Sequence, residues 1–214
     1  MICGIYFNGS GRIVATTGHI LATVDGAAEL TPFLGVIPTP AVSPILGVLD
    51  RNPELTVFDG ESEVRFEASG ESYLTKQIKG NYPNWEAVMP RYSKPSRFSF
   101  DRDAMKSALQ FASMYTDDGR EAVTLSHKDG ALSISITNPD SGNFSDLIPL
   151  TDAPAVKMIA SVKAEILAKM IAHCTTDTVY FECEPYDDGA VMGPLSFEDR
   201  GNNWKAVAMP CRPA

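Results

Sequence analysis

The chain has 214 residues, of which 44% are hydrophobic and 21% charged, a composition typical of one large or two medium-sized globular domains. No apolar run approaches the roughly 20 residues that a membrane-spanning helix needs, and the first residues lack the basic segment of a signal peptide. We therefore expect a cytoplasmic protein with no membrane partner. The formal net charge of −9 excludes DNA binding through overall charge alone, so a DNA-binding role requires basic residues gathered on one surface.

The first half of the chain predicts strands and one helix. Asn8-Gly9 is typical of a hairpin turn, and residues 11–16 alternate between apolar and polar side chains as a half-buried strand does. Residues 41–50 predict a helix, with Pro44 tolerated because it would lie in the first turn.

The second half predicts two helices and further strands. Asp129-Gly130 indicates a hairpin turn that leads into an alternating strand at 131–137. Helical spacing over 102–115 and over 161–174 predicts two amphipathic helices, the second with Ser161 as its N-cap. The expected apolar stripes are Met105, Ala108, Leu109, Ala112 and Tyr115 in the first helix, and Val162, Ile166, Met170 and Cys174 in the second.

Four cysteines, at positions 3, 174, 183 and 211, form no Cys-x-x-Cys pair and have no histidines at ligand spacing. We expect free thiols rather than a zinc site or disulfides, and no metal or cofactor.

The chain repeats itself at the scale of a domain. The sequence WEAVMP at 85–90 resembles WKAVAMP at 204–210, about 120 residues later, and residues 64–67 resemble residues 195–198. A repeat this long exceeds a solenoid unit and indicates a duplicated domain. The prolines and small polar residues around 90–97 indicate the boundary, which predicts a first domain at 1–91, a linker at 92–95 and a second domain at 96–214.

Several segments together resemble the bacterial DNA polymerase III beta-subunit family, the beta sliding clamps. ATTGHILA at 15–22 resembles the family's ATDGHRLA stretch. Residues 73–85 resemble the family's segment L-x-x-G-x-F/Y-P-D-Y. The endings at 88–90 and 207–212 resemble its VLP and VVMPMR sequences. The resemblance covers most of the family's middle domain and all of its last domain.

The resemblance implies an α+β fold of repeated βαβββ halves, with antiparallel sheets outside and helices lining a central face. Against that pattern, the first domain here is expected to be incomplete, lacking the opening strand and helix. The resemblance also implies a non-catalytic processivity factor that self-associates, encircles double-stranded DNA without sequence preference, and docks the peptide tails of DNA polymerases and clamp loaders.

Family clamps hold those tails in an apolar groove between their last two domains. Carried over motif by motif, the groove residues here are Ile2, Thr16, Gly18, His19, Leu21, Pro83, Val88, Val207, Met209, Pro210 and Arg212. Thr17, Ile20 and Ala87 depart from the family pattern and predict a less charged groove. An alternative for Val88, Val207 and Met209 is an ordinary structural role at a strand edge.

The family's inward helices carry the basic residues that face DNA. Arg102, Lys106, Lys163 and Lys169 are the candidates here, and a solvated surface charge is the alternative for each of them. The helix at 41–50 has no basic residue before Arg51.

Two functions are alternatives to a sliding clamp. A degenerate clamp relative would keep the peptide groove as an adaptor without encircling DNA, which the incomplete first domain and the first helix without lysines favour. An enzyme has little support, because no Gly-x-Ser-x-Gly motif or phosphate-binding loop is present, and the acidic pairs 117–118 and 187–188 lie in turn-like sequence.

Overall fold

The structure, a computed structural model, describes residues 4–26, 33–51, 54–68, 70–116, 122–140, 142–152 and 154–211. The chain divides into two compact units, Met1–Val88 and Met89–Ala214, hereafter unit 1 and unit 2. Within the described ranges, no helix is long and apolar enough to cross a membrane. The domain bounds at 1–91 and 96–214, with a linker at 92–95, remain a prediction.

Unit 1 consists of two antiparallel sheets and one helix. The first sheet has the strand order β3-β2-β1-β4 and the second the order β5-β6-β7. Its elements are β1 (Gly4–Asn8), β2 (Arg12–Thr16), β3 (Ile20–Asp25), β4 (Leu34–Pro38), α1 (Thr39–Arg51), β5 (Thr56–Asp59), β6 (Glu63–Ala68) and β7 (Glu71–Lys76). A core of Phe33, Ile37, Ala41, Val64 and Phe66 lies between the sheets and the helix.

The predicted hairpin at Asn8-Gly9 joins β1 to β2. The Asn8 side chain accepts hydrogen bonds from the backbone N–H groups of Ser10 and Arg12, both at 3.0 Å, while Gly9 adopts a φ of 74° that favours glycine. This local chemistry, visible in the sequence, sets the register in which Tyr6 pairs with Val14.

Helix α1 begins two residues earlier than the sequence predicted. The predicted helix began at residue 41, whereas α1 begins at Thr39, so that Pro44 lies inside the helix, beyond its first turn. The expectation that Pro44 would sit in the first turn is therefore wrong. Proline has no N–H to donate to the carbonyl of Pro40, so the packing of Ala41 and Val48 must stabilise α1 despite this defect.

Unit 2 has two helices and two antiparallel sheets, with strand orders β11-β10-β9-β13 and β12-β8-β14-β15-β16. Strands β8 and β14 pair over six residues although they lie far apart in sequence. The elements are β8 (Ser96–Asp101), α2 (Arg102–Ala112), β9 (Ala122–Lys128), β10 (Ala131–Asn138), β11 (Gly142–Ile148), β12 (Leu150–Asp152), β13 (Met158–Lys163), α3 (Ala164–Ala172), β14 (Thr178–Cys183), β15 (Leu195–Asp199) and β16 (Trp204–Ala208).

Helix α2 follows its predicted pattern closely. Met105, Ala108, Leu109 and Ala112 are buried, as the helical spacing required, and the helix packs against α3. Asp101 caps it by accepting a hydrogen bond from the Ala104 N–H at 2.7 Å. Tyr115 lies just beyond α2, in a 3-10 turn at Ser113–Tyr115.

Helix α3 begins later than predicted, and Ser161 is not its N-cap. Ser161 is buried in β13, where its hydroxyl lies 3.1 Å from that of Thr124 on β9. Strand β13 pairs with β9 as far as Lys163. Residues 161–163, which helical spacing assigned to the first turn of the helix, therefore belong to the sheet. The buried helical positions are Ala164, Leu167, Met170 and Ile171, while Val162 packs from the strand.

The structure corrects part of the internal repeat. The order of β1 to β4 in unit 1 matches that of β9, β10, β11 and β13 in unit 2, and β5-β6-β7 matches β14-β15-β16. The likeness of 64–67 to 195–198 therefore falls on equivalent strands, β6 and β15. The two tryptophans of the repeat do not lie on equivalent elements, because Trp85 lies in a 3-10 turn after β7 whereas Trp204 begins β16.

The described cysteines, Cys174, Cys183 and Cys211, are free thiols. Burial raises the pKa of Cys174 and of Cys183 to about 12, so neither forms a reactive thiolate near neutral pH. Cys3 lies outside the described residues.

A buried carboxylate organises the connection between α3 and β14. Asp199 is fully buried and accepts hydrogen bonds from the Thr176 hydroxyl at 2.6 Å, the Thr175 hydroxyl at 2.9 Å and the Gly201 N–H at 3.0 Å. Burial raises the pKa of Asp199, but these hydrogen bonds more than offset that effect and hold its pKa well below the ordinary value. The ionised carboxylate thereby fixes two loops together.

Candidate functional site

The turn between β2 and β3 carries four of the predicted groove residues. Its backbone closes through the Thr17 N–H and the Ile20 carbonyl at 3.0 Å, and the Thr16 hydroxyl donates to the same carbonyl at 2.8 Å. Gly18 has a φ of 88° and donates its N–H to the Thr16 hydroxyl at 3.1 Å. His19 is exposed beside it. The sequence thus forms a rigid turn with an open surface above Gly18.

A second predicted segment, after β7, lines a surface cavity of about 520 Å³ in unit 1. Pro83 lies on its wall together with Tyr82, Trp85 and Gln77. The Trp85–Ala87 turn is capped by Asn84, whose side chain accepts from the Ala87 N–H at 3.3 Å. Val88 follows this turn and is exposed.

Aromatic packing connects this segment to the first sheet. The Tyr82 ring stacks on Tyr6 with centroids 4.6 Å apart, and its hydroxyl lies 3.5 Å from the Val14 carbonyl. Burial raises the Tyr82 pKa, so the phenol stays a neutral donor. The Arg12 guanidinium lies 5.2 Å from the Trp85 ring centroid and pairs with Asp25 on β3. The structure thus brings the 82–85 segment against β1 and β2.

Motif matching did not single out Tyr6, Arg12 or Trp85 for this surface. The sequence signals for Trp85 were its place in the segment 73–85 and in the repeat at 85–90, and neither assigned it to this surface. Their proximity follows from β-sheet register, which a single sequence does not reveal.

The other predicted groove residues differ in accessibility. Leu21 in unit 1 and Val207 in unit 2 are buried, so neither side chain is exposed to a ligand at the surface. Met209 is half exposed and Pro210 partly so, both just after β16 in unit 2. Ile2 and Arg212 lie outside the described residues. Unit 1 therefore gathers Thr16, Gly18, His19 and Leu21 in one turn.

The predicted DNA-facing residues fall into two groups. Arg102 donates to the Asp103 carboxylate and to the Thr175 carbonyl, both at 2.9 Å, and its guanidinium lies 3.5 Å from the Asp177 carboxylate. Lys169 pairs with Glu165, one helical turn earlier. These contacts hold Arg102 in a structural role at the start of α2. Lys106 and Lys163 are exposed and have no ion-pair partner among the described residues.

Helix α1 has few charges on its outer surface. Among its exposed residues the only charges are Asp50 and Arg51, and Arg51 donates to Glu71 on β7 at 2.7 Å. Phosphate neutralisation requires available cations, so α1 supplies little attraction for DNA.

An exposed apolar cluster, which the sequence analysis did not identify, lies at the end of α2. Phe111 and Met114 have exposed fractions of 52% and 66%. Phe144 on β11 stacks with Phe111 and with Tyr115 at centroid distances of 6.5 and 5.8 Å. Contiguous exposed apolar side chains of this kind mark interaction surfaces.

The described acidic pair at 187–188 lies in a turn. Asp188 accepts from the Ala190 N–H at 2.8 Å and precedes Gly189, which has a φ of 93°. No cluster of histidine, cysteine and carboxylate residues in the described chain could hold a metal ion. The pair at 117–118 lies outside the described residues.

Comparisons with known proteins agree with this architecture. A beta sliding clamp of Haemophilus influenzae is 26% identical over 140 residues, which cover 64% of this chain and 38% of the relative. A Bartonella birtlesii sliding clamp (DNA polymerase III subunit beta), solved bound to griselimycin, superimposes with a TM-score of 0.85 and 25% identity over 99% of this chain and 58% of that one. The chain has the beta sliding clamp fold.

A Pseudomonas aeruginosa DNA polymerase III subunit beta gives the same clamp fold, with a TM-score of 0.86 at 19% identity over 98% of this chain. The resemblance found in the motifs and the predicted α+β clamp fold are both confirmed. No family model matches the chain. The chain spans less than two thirds of the length of these clamps.

Proposed function

We propose that the chain is a non-catalytic, clamp-like accessory factor for a cytoplasmic DNA polymerase. The observation that carries the proposal is the clamp fold over 97–99% of the chain in the structural comparisons. In this role the chain tracks double-stranded DNA without sequence preference and docks the peptide tails of polymerases and clamp loaders. The chemistry of replication belongs to those partners.

Peptide docking is supported by the geometry of unit 1. The Thr16–Leu21 turn exposes His19 and an uncovered Gly18, and the 82–88 segment adds a cavity walled by Pro83 and Trp85. Small and apolar surfaces with a few polar groups suit extended peptides. The half-exposed Met209 adds an adaptable apolar contact.

Griselimycin, which the Bartonella relative holds, is a direct probe of docking. We expect saturable binding by calorimetry, weakened at least tenfold by His19→Ala or Met209→Ala. The matched control Met192→Ala removes a methionine of similar exposure, at 54% against 50%, and should leave affinity unchanged. Equal binding by all four proteins would remove His19 and Met209 from the proposed groove.

DNA tracking is assigned to Lys106 and Lys163, the two candidates that carry no ion pair in the described chain. Each phosphate contact contributes about −0.9 to the slope of log affinity against log salt. Replacing either lysine by alanine should therefore make the slope shallower by roughly one. Lys128→Ala, at an exposed hairpin tip, is the control that should leave the slope unchanged.

Self-association is supported by the exposed cluster at Phe111 and Met114 and by sheet edges that could pair between copies. Among the described strands, β11 and β7 each have one neighbour, and Leu74 on β7 is 57% exposed. Pairing of such edges hides both the backbone groups and the apolar side chains. We propose a homo-oligomer built through these edges.

A second candidate function is a peptide-binding adaptor that does not encircle DNA. It is favoured by the absence of lysine from α1 and by the ion pairs that engage Arg102 and Lys169. Light scattering at low salt, with a test of retention on nicked circular DNA, separates the two. A closed multimer that is retained on circles and lost when they are linearised supports the clamp. A monomer that binds griselimycin supports the adaptor, and a monomer that binds neither contradicts both.

A further inference from the structure

The 520 Å³ cavity of unit 1 has a single charged residue among the described residues of its wall. That residue is Glu86, which follows Trp85 in the short 3-10 turn after β7. Glu86 is exposed and belongs to none of the ion pairs of the described chain. A ligand group that enters the cavity therefore meets a carboxylate that no lysine or arginine of the described wall neutralises.

The cation that acts on Glu86 from nearby, Arg12, is already engaged by another acid. Its guanidinium pairs with the Asp25 carboxylate through two nitrogens, one of them at 3.0 Å. The hydrogen bond to Asp25 is the main cause that raises the Arg12 pKa, and Glu86 contributes less. Arg12 therefore neutralises Asp25 and leaves the charge of Glu86 weakly compensated.

Unit 1 as a whole is acidic. Residues 1–88 contain five Lys or Arg against ten Asp or Glu, which gives a formal net charge of −5. The arginines of this unit, Arg12, Arg51 and Arg65, each pair with a carboxylate. The potential around the cavity therefore favours a cationic ligand over an anionic one.

The Gln77 amide adds a fixed acceptor to the same wall. Its Nε2 donates to the Asp59 carboxylate at 2.8 Å and to the Gly60 carbonyl at 3.1 Å, which uses both N–H groups. This orientation leaves the Oε1 atom beside Gly35, where a Cβ atom would collide with it. Gln77 can thus accept a hydrogen bond from a donor in the cavity but cannot give one.

Elsewhere in the chain, a guanidinium group is held by an aromatic ring and a carboxylate together. Arg65 lies 4.5 Å from the centroid of the Phe58 ring and 3.2 Å from the Glu67 carboxylate. Two further arginines follow the same pattern, namely Arg12 with Trp85 and Asp25, and Arg200 with Tyr180 and Glu198. The planar guanidinium suits this combination, because it stacks on a ring while its N–H groups reach an acid.

The cavity contains both components without a guanidinium. The rings of Tyr6 and Tyr82, stacked with centroids 4.6 Å apart, line it together with Glu86. We propose that this cavity binds an arginine side chain of a partner's peptide tail, with Glu86 as the residue that selects the positive charge. Glu86 pairs with the guanidinium, and the Gln77 Oε1 atom accepts one of its N–H groups. This inference rests on the proposed peptide docking and names the side-chain chemistry that one part of the docking surface selects.

Two probes of nearly equal shape test for recognition of the charge. Acetyl-arginine methylamide carries the guanidinium, whereas acetyl-citrulline methylamide carries a neutral urea group in its place. The indole N–H signal of Trp85, observed by NMR in an isotope-labelled Trp204→Phe chain, reports binding next to Glu86. We expect a saturable shift with the arginine probe, at least threefold weaker binding of the citrulline probe, and the same loss of arginine affinity in Glu86→Gln.

Asp50→Asn is the control variant. Asp50 is an exposed acid of α1 that has no ion pair in the described chain and does not line the cavity, so its replacement should leave the affinity for the arginine probe unchanged. Glu86→Lys should reverse the preference, losing the arginine probe and binding acetyl-glutamate methylamide.

Absence of a saturable shift, equal binding of the arginine and citrulline probes, or full arginine affinity in Glu86→Gln would each overturn the inference. The calorimetric titration of peptide docking, run on the same variants, keeps the two proposals apart. A parent chain that passes that titration but does not distinguish the two probes contradicts the arginine site alone. A parent chain that fails it, yet binds the arginine probe through Glu86, supports the site and contradicts the wider docking surface.

Discussion

At the scale of single residues, Asp199 shows how a buried charge can stabilise a loop. Three neighbouring residues donate hydrogen bonds to its carboxylate, and together they hold its pKa below the ordinary value despite burial. A carboxyl whose pKa is lowered on folding stabilises the folded state above its unfolded pKa of about 3.9. That contribution is lost as pH falls through the lower, folded value.

Asp199→Asn should therefore lower the free energy of unfolding of unit 2 by about 2–4 kcal/mol at pH 7, because the amide replaces a charged acceptor in a buried network. The difference from the parent should shrink as pH falls below about 4. Urea unfolding in a Trp85→Phe background lets Trp204 report on unit 2 alone. The control Asp188→Asn changes an exposed turn carboxylate and should cost less than about 1 kcal/mol. A pH-independent difference would contradict the assigned role of the charge.

At the scale of elements, the sequence predicted the turns and the helix face that depend on local chemistry. The Asn8-Gly9 and Asp129-Gly130 turns are hairpins, with positive φ at Gly9, Asp129 and Gly130, and the α2 stripe is buried where helical spacing placed it. The start of α3 was wrong because pairing between β13 and β9, invisible in a single sequence, holds Ser161 in a sheet. Contacts between distant segments, such as Tyr6 with Tyr82, escaped prediction for the same reason.

The candidate site was predictable to a similar extent. Motif resemblance assigned Thr16, Gly18 and His19 to the peptide groove, and the structure brings these three residues together in the turn between β2 and β3. It gave no indication that Leu21 would be buried or that Arg102 would be engaged by neighbouring acids, since both depend on packing.

Pro44 offers a test of how much α1 owes to packing. Replacing Pro44 by alanine restores a hydrogen bond to the Pro40 carbonyl, and should raise the free energy of unfolding of unit 1 by about 1–2 kcal/mol after the entropy gain of the unfolded chain is subtracted. Trp85 fluorescence during urea unfolding, in a Trp204→Phe background, measures the free energy of unfolding of unit 1. Pro40→Ala, in the first turn where proline is tolerated, should change stability by less than about 0.5 kcal/mol. Equal effects at the two positions would contradict this account.

At the scale of the whole molecule, the proposed oligomer uses the exposed apolar cluster at the end of α2 in addition to the sheet edges. Met114, 66% exposed beside the stacked Tyr115 and Phe144, is the side chain that an interface would bury. Met114→Asp should weaken self-association at least tenfold, equivalent to about 1.4 kcal/mol. Sedimentation or light scattering over a concentration series measures it, with Met192→Asp as the matched exposed control. If the parent chain is monomeric throughout, the proposed homo-oligomer is wrong.

The long-range pairing of β8 with β14 has a consequence for the order in which the chain folds. The strands of unit 1 pair mostly with their sequence neighbours, so short loops close early and cheaply. The second sheet of unit 2 cannot form around β8 until Thr178–Cys183 has been synthesised. During translation, β8 would therefore wait for a partner about 80 residues away, which makes this interval the time at which the nascent chain most needs protection from aggregation.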